Sequence, residues 1–105
     1  MVLQNIVLLE PGVPARMHFD DDWIEKRVIT DRQTGQPTGR NVLVFHVDML
    51  NGMKADARFS TMAEKLAQKL DPYRKDKQYL SYDFVITQTG VDYLTSYSVQ
   101  VIPRT

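Results

Sequence analysis

The sequence contains no cysteine, and this absence excludes several classes of protein at once. Without thiols there is no cysteine-ligated zinc site, no cysteine nucleophile and no disulfide framework. Long apolar runs are also absent, since the run from Ile6 to Leu9 stops at Glu10, far short of the roughly 18 residues of a membrane helix. No basic region or small-residue cleavage site accompanies that run. We therefore expect a cytoplasmic protein that makes no contact with a membrane.

The chain has no net charge, because 13 basic residues balance 13 acidic ones. It thus lacks the positive excess that favours polyanion partners, although phosphate binding depends on where the cations lie. Catalytic sequence motifs are missing as well: the chain contains no nucleophile elbow, P-loop, dinucleotide fingerprint or HExxH. These observations predict a binding protein that is not an enzyme and has no cofactor.

Length and periodicity indicate one mostly-β domain over residues 1–105. A chain of this size supports a single core, and apolar residues alternate by two over most of its length. Val2–Leu9 is predicted as a first strand, followed by a long extended segment, Ala15–Asp31. The adjacent carboxylates Asp20–Asp22 would repel one another in a regular ladder, so we expect a β-bulge or turn there.

A hairpin is predicted around the dipeptide at positions 51–52, because Asn and Gly both accept positive φ. Its strands are Arg40–Leu50 and Met53–Phe59, and the preceding Gln33–Gly39 is predicted as a loop. Side-chain alternation favours a three-residue turn with a bulge, which keeps the apolar side chains on one face. This register pairs Met49 with Met53, Asp48 with Lys54, and His46 with Asp56.

One helix is predicted after this hairpin. It begins at Ser60 or Thr61, where Thr61–Glu64 matches the capping-box pattern. An apolar stripe along it consists of Met62, Leu66 and Leu70, and Pro72 ends it.

The remainder of the chain is predicted as a loop and a second hairpin. Asp71–Gln78 is polar and is predicted as the loop, whereas the strands Leu80–Ile86 and Tyr93–Val101 alternate apolar and polar residues. The residues expected to be buried together are Phe45, Val47, Phe59, Leu66, Leu70, Phe84, Ile86, Tyr97 and Val99. Tyr82, Tyr93 and Trp23 are also assigned to packed positions, with stacking on a base as the alternative for Trp23.

This order of elements predicts a five-stranded Greek-key barrel of the oligonucleotide/oligosaccharide-binding (OB) type. Such a barrel has its helix between the third and fourth strands, and here Val2–Leu9 would be an extra N-terminal strand. An antiparallel sheet packed on one helix, without barrel closure, is the alternative.

Two short segments resemble the single-stranded-DNA-binding proteins of phages and plasmids, which are small OB-fold chains. They are Asp83–Gly90, which reads DFVITQTG, and Tyr93–Val99, which reads YLTSYSV, together with Phe59-Ser60 before the helix. The resemblance covers Val42 to Ile102. It implies that the ligand is single-stranded DNA, bound without strong sequence preference, with RNA as the alternative.

Single strands are held by cations along the backbone and by aromatic faces on which bases stack. On an OB barrel the binding surface comprises the second and third strands with adjacent loops. The candidate binding residues are the basic Arg32, Arg40, His46, Lys54, Arg58, Arg74, Lys75 and Lys77, with Tyr73 and Tyr79 as stacking platforms.

Other interpretations remain open at this point. The candidate cations can be ordinary solvated charges, and the domain can be a protein–protein interaction module that binds no nucleic acid. A metal site at His18 with Asp20–Asp22, or at His46 with Asp48, would lack ligands, so none is predicted. The sequence leaves the oligomeric state open, with a homodimer among the alternatives.

Overall fold

The computed structural model describes residues 5–90 and 95–104, and this part of the chain is mostly β with one short helix. A six-stranded sheet has the order β1-β4-β3-β2-β5-β6. Neighbouring strands are antiparallel except β1 and β4, which are parallel. The elements are β1 (Asn5–Ile6), β2 (Ala15–Thr30), β3 (Pro37–Leu50), β4 (Met53–Thr61), α1 (Glu64–Leu70), β5 (Tyr82–Thr89) and β6 (Ser96–Pro103).

Within the described residues the sheet is open, because no ladder joins β4 to β6. The prediction of a mostly-β chain with one short helix between its third and fourth long strands is confirmed. The predicted N-terminal strand Val2–Leu9 is shorter in the structure, where β1 covers Asn5–Ile6, and residues 1–4 lie outside the described part.

The predicted bulge in the long strand is confirmed. The register between β2 and β3 shifts between His18 and Phe19 and again between Phe19 and Asp21. The side chains of Met17 and Phe19 both point into the core, where they are fully buried. The carboxylates that follow are turned away from one another.

The first hairpin forms, but its predicted register is wrong. Leu50 pairs with Met53 across a two-residue turn, in which Asn51 and Gly52 have φ of 52° and 83°, as a type I′ turn requires. The ladder then shifts between Val47 and Met49. This bulge restores the alternation, so that Phe45 faces Phe59 in the core and His46 lies across from Arg58 rather than Asp56.

The helix begins later than predicted, because β4 continues through Thr61 and α1 starts at Glu64. Instead of forming a capping box, the Thr61 Oγ1 accepts a hydrogen bond from the Ala63 N–H at 2.9 Å. Leu66 and Leu70 are buried as predicted, whereas Met62 is 56% exposed.

The segment predicted as a loop contains two 3₁₀ turns, Asp71–Tyr73 and Lys75–Ser81. Two of its residues, Asp76 and Lys77, have positive φ of 54° and 52°. This compact path brings Tyr79 under the sheet, where it is fully buried.

The core lies between the inner face of the sheet, α1 and the second 3₁₀ turn. Phe19 is its centre, with ring centroids 4.3 Å from Phe45 and 5.1 Å from Phe84. Seven predicted members are buried there, while Tyr97 and Val99 pack against it partly exposed. The seven are Phe45, Val47, Phe59, Leu66, Leu70, Phe84 and Ile86.

Candidate functional site

The three consecutive carboxylates of the bulge each have a different partner. Asp20 accepts a hydrogen bond from His46 at 2.6 Å, and Asp21 lies 3.4 Å from the ammonium of Lys77. Asp22 points to the inner side of β2, since it is paired in register with Phe45. The bulge thus aims neighbouring side chains in divergent directions, which relieves the repulsion that a regular strand would impose.

Asp22 is the most enclosed of these carboxylates, with a side chain 13% exposed. It accepts hydrogen bonds from Arg74 Nε at 2.8 Å and from the Tyr79 hydroxyl at 2.7 Å. The pairing with Asp22, and a further contact with Asp71, raises the pKa of the Arg74 guanidinium. Burial raises the pKa of the Tyr79 hydroxyl, with Asp22 adding to the effect.

These contacts involve two of the predicted site residues, Tyr79 and Arg74. Tyr79 is wrong as a stacking platform, because its ring is fully buried and offers no face to a base. Arg74 is engaged by Asp22 and Asp71 and ties the 3₁₀ segment to the bulge. Tyr73 is half-buried, with its ring packed edge-on against Tyr82 and Phe84.

His46 lies between two carboxylates rather than facing solvent alone. Its Nδ1 is 2.6 Å from Asp20 and its Nε2 is 2.7 Å from Asp56. The hydrogen bond to Asp56, followed by that to Asp20, raises the pKa of the imidazole above its usual 6.5. Both ring nitrogens of His46 are therefore occupied by carboxylates of its own chain, and these contacts favour the protonated imidazole.

His18 contacts Asp48, the carboxylate that the sequence analysis considered beside His46 as a metal ligand. Its Nδ1 lies 2.7 Å from Asp48, and its Nε2 donates to the Leu80 carbonyl oxygen at 3.0 Å. The two histidines are thus held in separate contacts, and the described residues contain no cluster of three groups suited to hold a metal ion.

An aromatic and charged cluster lies on the opposite side of β2. The Arg58 guanidinium carbon is 5.2 Å from the centroid of the half-buried Trp23 ring. Glu25 Oε1 accepts from the indole N–H at 2.8 Å, and Oε2 accepts from Arg27 at 2.9 Å. The Trp23 hydrogen bond, followed by that from Arg27, lowers the pKa of Glu25.

We use "outer face" for the surface of β2, β3 and β4 that carries this cluster: Trp23, Glu25, Arg27, Arg40, Val42, Val44 and Arg58. The register places them together, since Trp23 pairs with Val44 and Arg27 with Arg40. Val42 and Val44 are buried at 1% and 0% exposure although they lie opposite the main core. Sequence analysis missed Arg27 and Glu25 here; the signal was the continuous apolar run from Val42 to Phe45, which indicates a strand covered on both sides.

The predicted cations do not form one patch. Arg40 lies toward the far end of β3, while Lys54 faces Met49 beside the turn at the other end. The nine residue-to-residue steps from Arg40 to Met49 span about 30 Å of extended strand. Arg32 lies between β2 and β3, and Lys75 lies in the second 3₁₀ turn. From the predicted set, the outer face contains Arg40 and Arg58, and His46 lies directly across from Arg58 on the same side of the sheet.

A groove of about 600 Å³ lies between α1 and the part of the sheet formed by the end of β2 and the beginning of β3. Ile24 and Leu43 form part of one wall, and Met62 and Ala67 contribute to the other. Arg40 also borders it, so the groove adjoins the outer face.

Comparisons with protein-family models, with curated proteins and with solved structures give no match. Within residues 5–90 and 95–104, no helix has the length and apolar character needed to cross a membrane.

Proposed function

We propose that this protein is an OB-like module that binds single-stranded DNA without strong sequence preference through the outer face. The fold assignment is supported by strand pairing: β2 pairs with β3 and β5, β3 with β4, and β5 with β6. These are the neighbours expected for the five strands of an OB barrel with a helix between its third and fourth strands. β1 takes the edge of β4 that a closed barrel would use.

The observation that carries the binding proposal is the stack of Arg58 over Trp23 on this face. Trp23 is the chain's one tryptophan, and its Glu25 hydrogen bond fixes the indole in place. Bases stack on aromatic rings and on arginine, at about 1–3 kcal/mol for each base. A base can extend this stack because the Arg58 side chain is 30% exposed.

Phosphates would follow the arginines of the same surface. Arg27 and Arg40 are register partners, so both guanidinium groups project from neighbouring strands on the outer face. Arg27 is paired with Glu25, whereas Arg40 is exposed and has no ion pair among the described residues. Arg40 is therefore the cation best placed to bind a phosphate.

The test is a titration with oligo-dT followed by fluorescence anisotropy and by the intrinsic fluorescence of Trp23. Stacking on the Trp23–Arg58 pair should quench the indole, and Trp23→Ala should weaken binding by about 1–3 kcal/mol with little change in salt dependence. Arg40→Ala should instead reduce the log–log salt slope by roughly 0.7, because each cation releases counterions.

Lys65→Ala, an exposed charge on α1, is the matched control and should change neither readout. Oligo-U in place of oligo-dT distinguishes RNA from DNA preference. Failure of the parent protein to bind at low salt, or unchanged binding by both Trp23→Ala and Arg40→Ala, would refute the proposal.

A protein-interaction module is the second candidate, and one observation favours it. Ile24 and Val28 are 55% and 73% exposed on the side of β2 opposite Trp23, next to the apolar groove. Absence of oligo-dT binding together with stable self-association or capture of a protein would support this candidate.

A further inference from the structure

The second half of β2, residues 23–30, has an unpaired edge. β5 pairs with β2 only at Ala15, Arg16 and Met17, and the second 3₁₀ turn covers the bulge through Asp21 and Asp22. From Trp23 to Thr30, β2 pairs with β3 alone among the described residues. We call residues 23–30 the free edge. Its outward N–H and C=O groups form a template for another strand.

The ribbon that bears this edge is weakly supported. β4 ends opposite Leu43, so residues 25–30 and 37–42 form a two-stranded ribbon that extends beyond the other strands. A two-stranded ribbon by itself is marginally stable, and it gains most from a further strand. Val28, at 73% exposure, gives such a strand an apolar surface to cover.

The free edge is complementary to itself in one register. An antiparallel pairing centred on Lys26 places Ile24 across from Val28 of a second copy, and Glu25 across from its Arg27. Trp23 then faces Ile29 of the second copy. Apolar pairs and opposite charges directly across a ladder each stabilise it, and two-fold symmetry repeats every pair.

Neighbouring two-fold registers lose this match. A pairing centred on Glu25 places Lys26 across from Ile24, and one centred on Arg27 places Lys26 across from Val28. In both registers an ammonium group faces an exposed apolar side chain. In the register centred on Lys26 the two ammonium groups meet only at the axis, where their long side chains can diverge into solvent. Glu25 and Arg27, already 2.9 Å apart within one chain, would form an alternating ring of four charges.

We propose that this protein forms a two-fold homodimer by antiparallel pairing of residues 23–30 with the same residues of a second copy. The occupant of the edge is a second chain, because residues 23–30 match their own charge and apolar patterns when the strand is reversed against itself. The pairing continues the sheet, and it sets both outer faces on the same side. The proposal does not depend on nucleic-acid binding.

The first test is sedimentation equilibrium of the protein without nucleic acid. The parent should dimerise within a concentration range of about 1–100 μM, and Val28→Asp should raise the dimer Kd by about tenfold or more. Met53→Asp is the matched control, since Met53 is 74% exposed but lies at the other end of β3. A monomeric parent, or equal effects of both substitutions, would overturn the proposal.

The second test uses charge reversal and mixing. Glu25→Arg and Arg27→Glu should each weaken self-association about tenfold, because two like-charge pairs then face each other across the axis. An equimolar mixture should form heterodimers about as tightly as the parent, since both pairs between positions 25 and 27 are then opposite in charge. Circular dichroism checks that each variant is folded.

Recovery on mixing separates a contact across the interface from a structural effect within one chain. A structural defect would persist in the mixture, and that outcome would overturn the proposal. Lys26→Thr should tighten the dimer by removing the one like-charge pair at the axis.

Discussion

The two halves of β2 differ in the elements that flank them and in the burial of their side chains. Residues 15–22 have β3 on one side and β5 or the 3₁₀ segment on the other, and Met17 and Phe19 are fully buried. Residues 23–30 have β3 alone, and Val28 is 73% exposed. One strand is therefore part of the core in one half and exposed in the other, depending on which elements reach it.

Charges follow the same division. In the first half the carboxylate of Asp22 is held by Arg74 and Tyr79, more than fifty residues away in the chain. In the second half Glu25 is held largely by its neighbours Trp23 and Arg27, each two residues away. Long-range contacts fix the first half to the rest of the fold, whereas local contacts leave the second half available to a ligand or a second copy.

The largest expected difference is in the free energy of unfolding after truncation. Phe19→Ala should cost about 3–5 kcal/mol, because it leaves a cavity among stacked rings. Val28→Ala, made in the other half of the strand, should change stability by less than about 0.5 kcal/mol in dilute solution. Urea denaturation measures both. Similar costs at the two positions would mean that the ribbon is as enclosed as the core.

A smaller effect is expected within the bulge. Asp22→Asn should cost about 2 kcal/mol, since it weakens a charge-assisted hydrogen bond in an enclosed site. Asp21→Asn should cost less than about 0.5 kcal/mol, because its pair with Lys77 is exposed and screened. Urea denaturation measures the free energy of unfolding of both variants, and Asp21→Asn is the control for Asp22→Asn. Equal losses of stability in the two variants would contradict the division of roles between the two carboxylates.

The smallest effect concerns His46 and depends on pH. Its pKa is raised above 6.5 in the folded state by Asp56 and Asp20, so folding favours the protonated form. The contribution is fully present below pH 6.5 and is lost as pH rises through the raised pKa. His46→Gln should therefore lower Tm more at about pH 6 than at about pH 9. A difference from the parent that is constant with pH would refute this role.

The Asn51-Gly52 turn shows how far sequence patterns reach in this fold. Positive φ at both residues is a local property, so the position of the turn was predictable. The register was not, because the bulge between Val47 and Met49 responds to packing of Phe45 and Phe59 across the sheet. Face assignments survived the error, since the true and expected registers place the same side chains inward from Leu43 to Val47.

The candidate site shows the opposite balance. Arg40 and Arg58 were predicted from their residue type and alternation, and both lie on the outer face. Tyr79 was misassigned because nothing local distinguishes an exposed tyrosine from one whose hydroxyl meets Asp22 at 2.7 Å. Glu25 and Arg27 were missed because they are grouped with Trp23 by contacts on the outer face, and sequence analysis favoured packing over base stacking for Trp23.

By itself the sequence determined the strand character, the inward alternation, the position of the hairpin at Asn51-Gly52 and the apolar stripe of Leu66 and Leu70. These depend on backbone preferences and periodicity within a few residues. The tertiary structure decided which partner each of Asp20–Asp22 holds and where β2 loses its second neighbour. Such contacts join residues as far apart as 57 positions. They depend on how whole elements pack, and no local pattern encodes that.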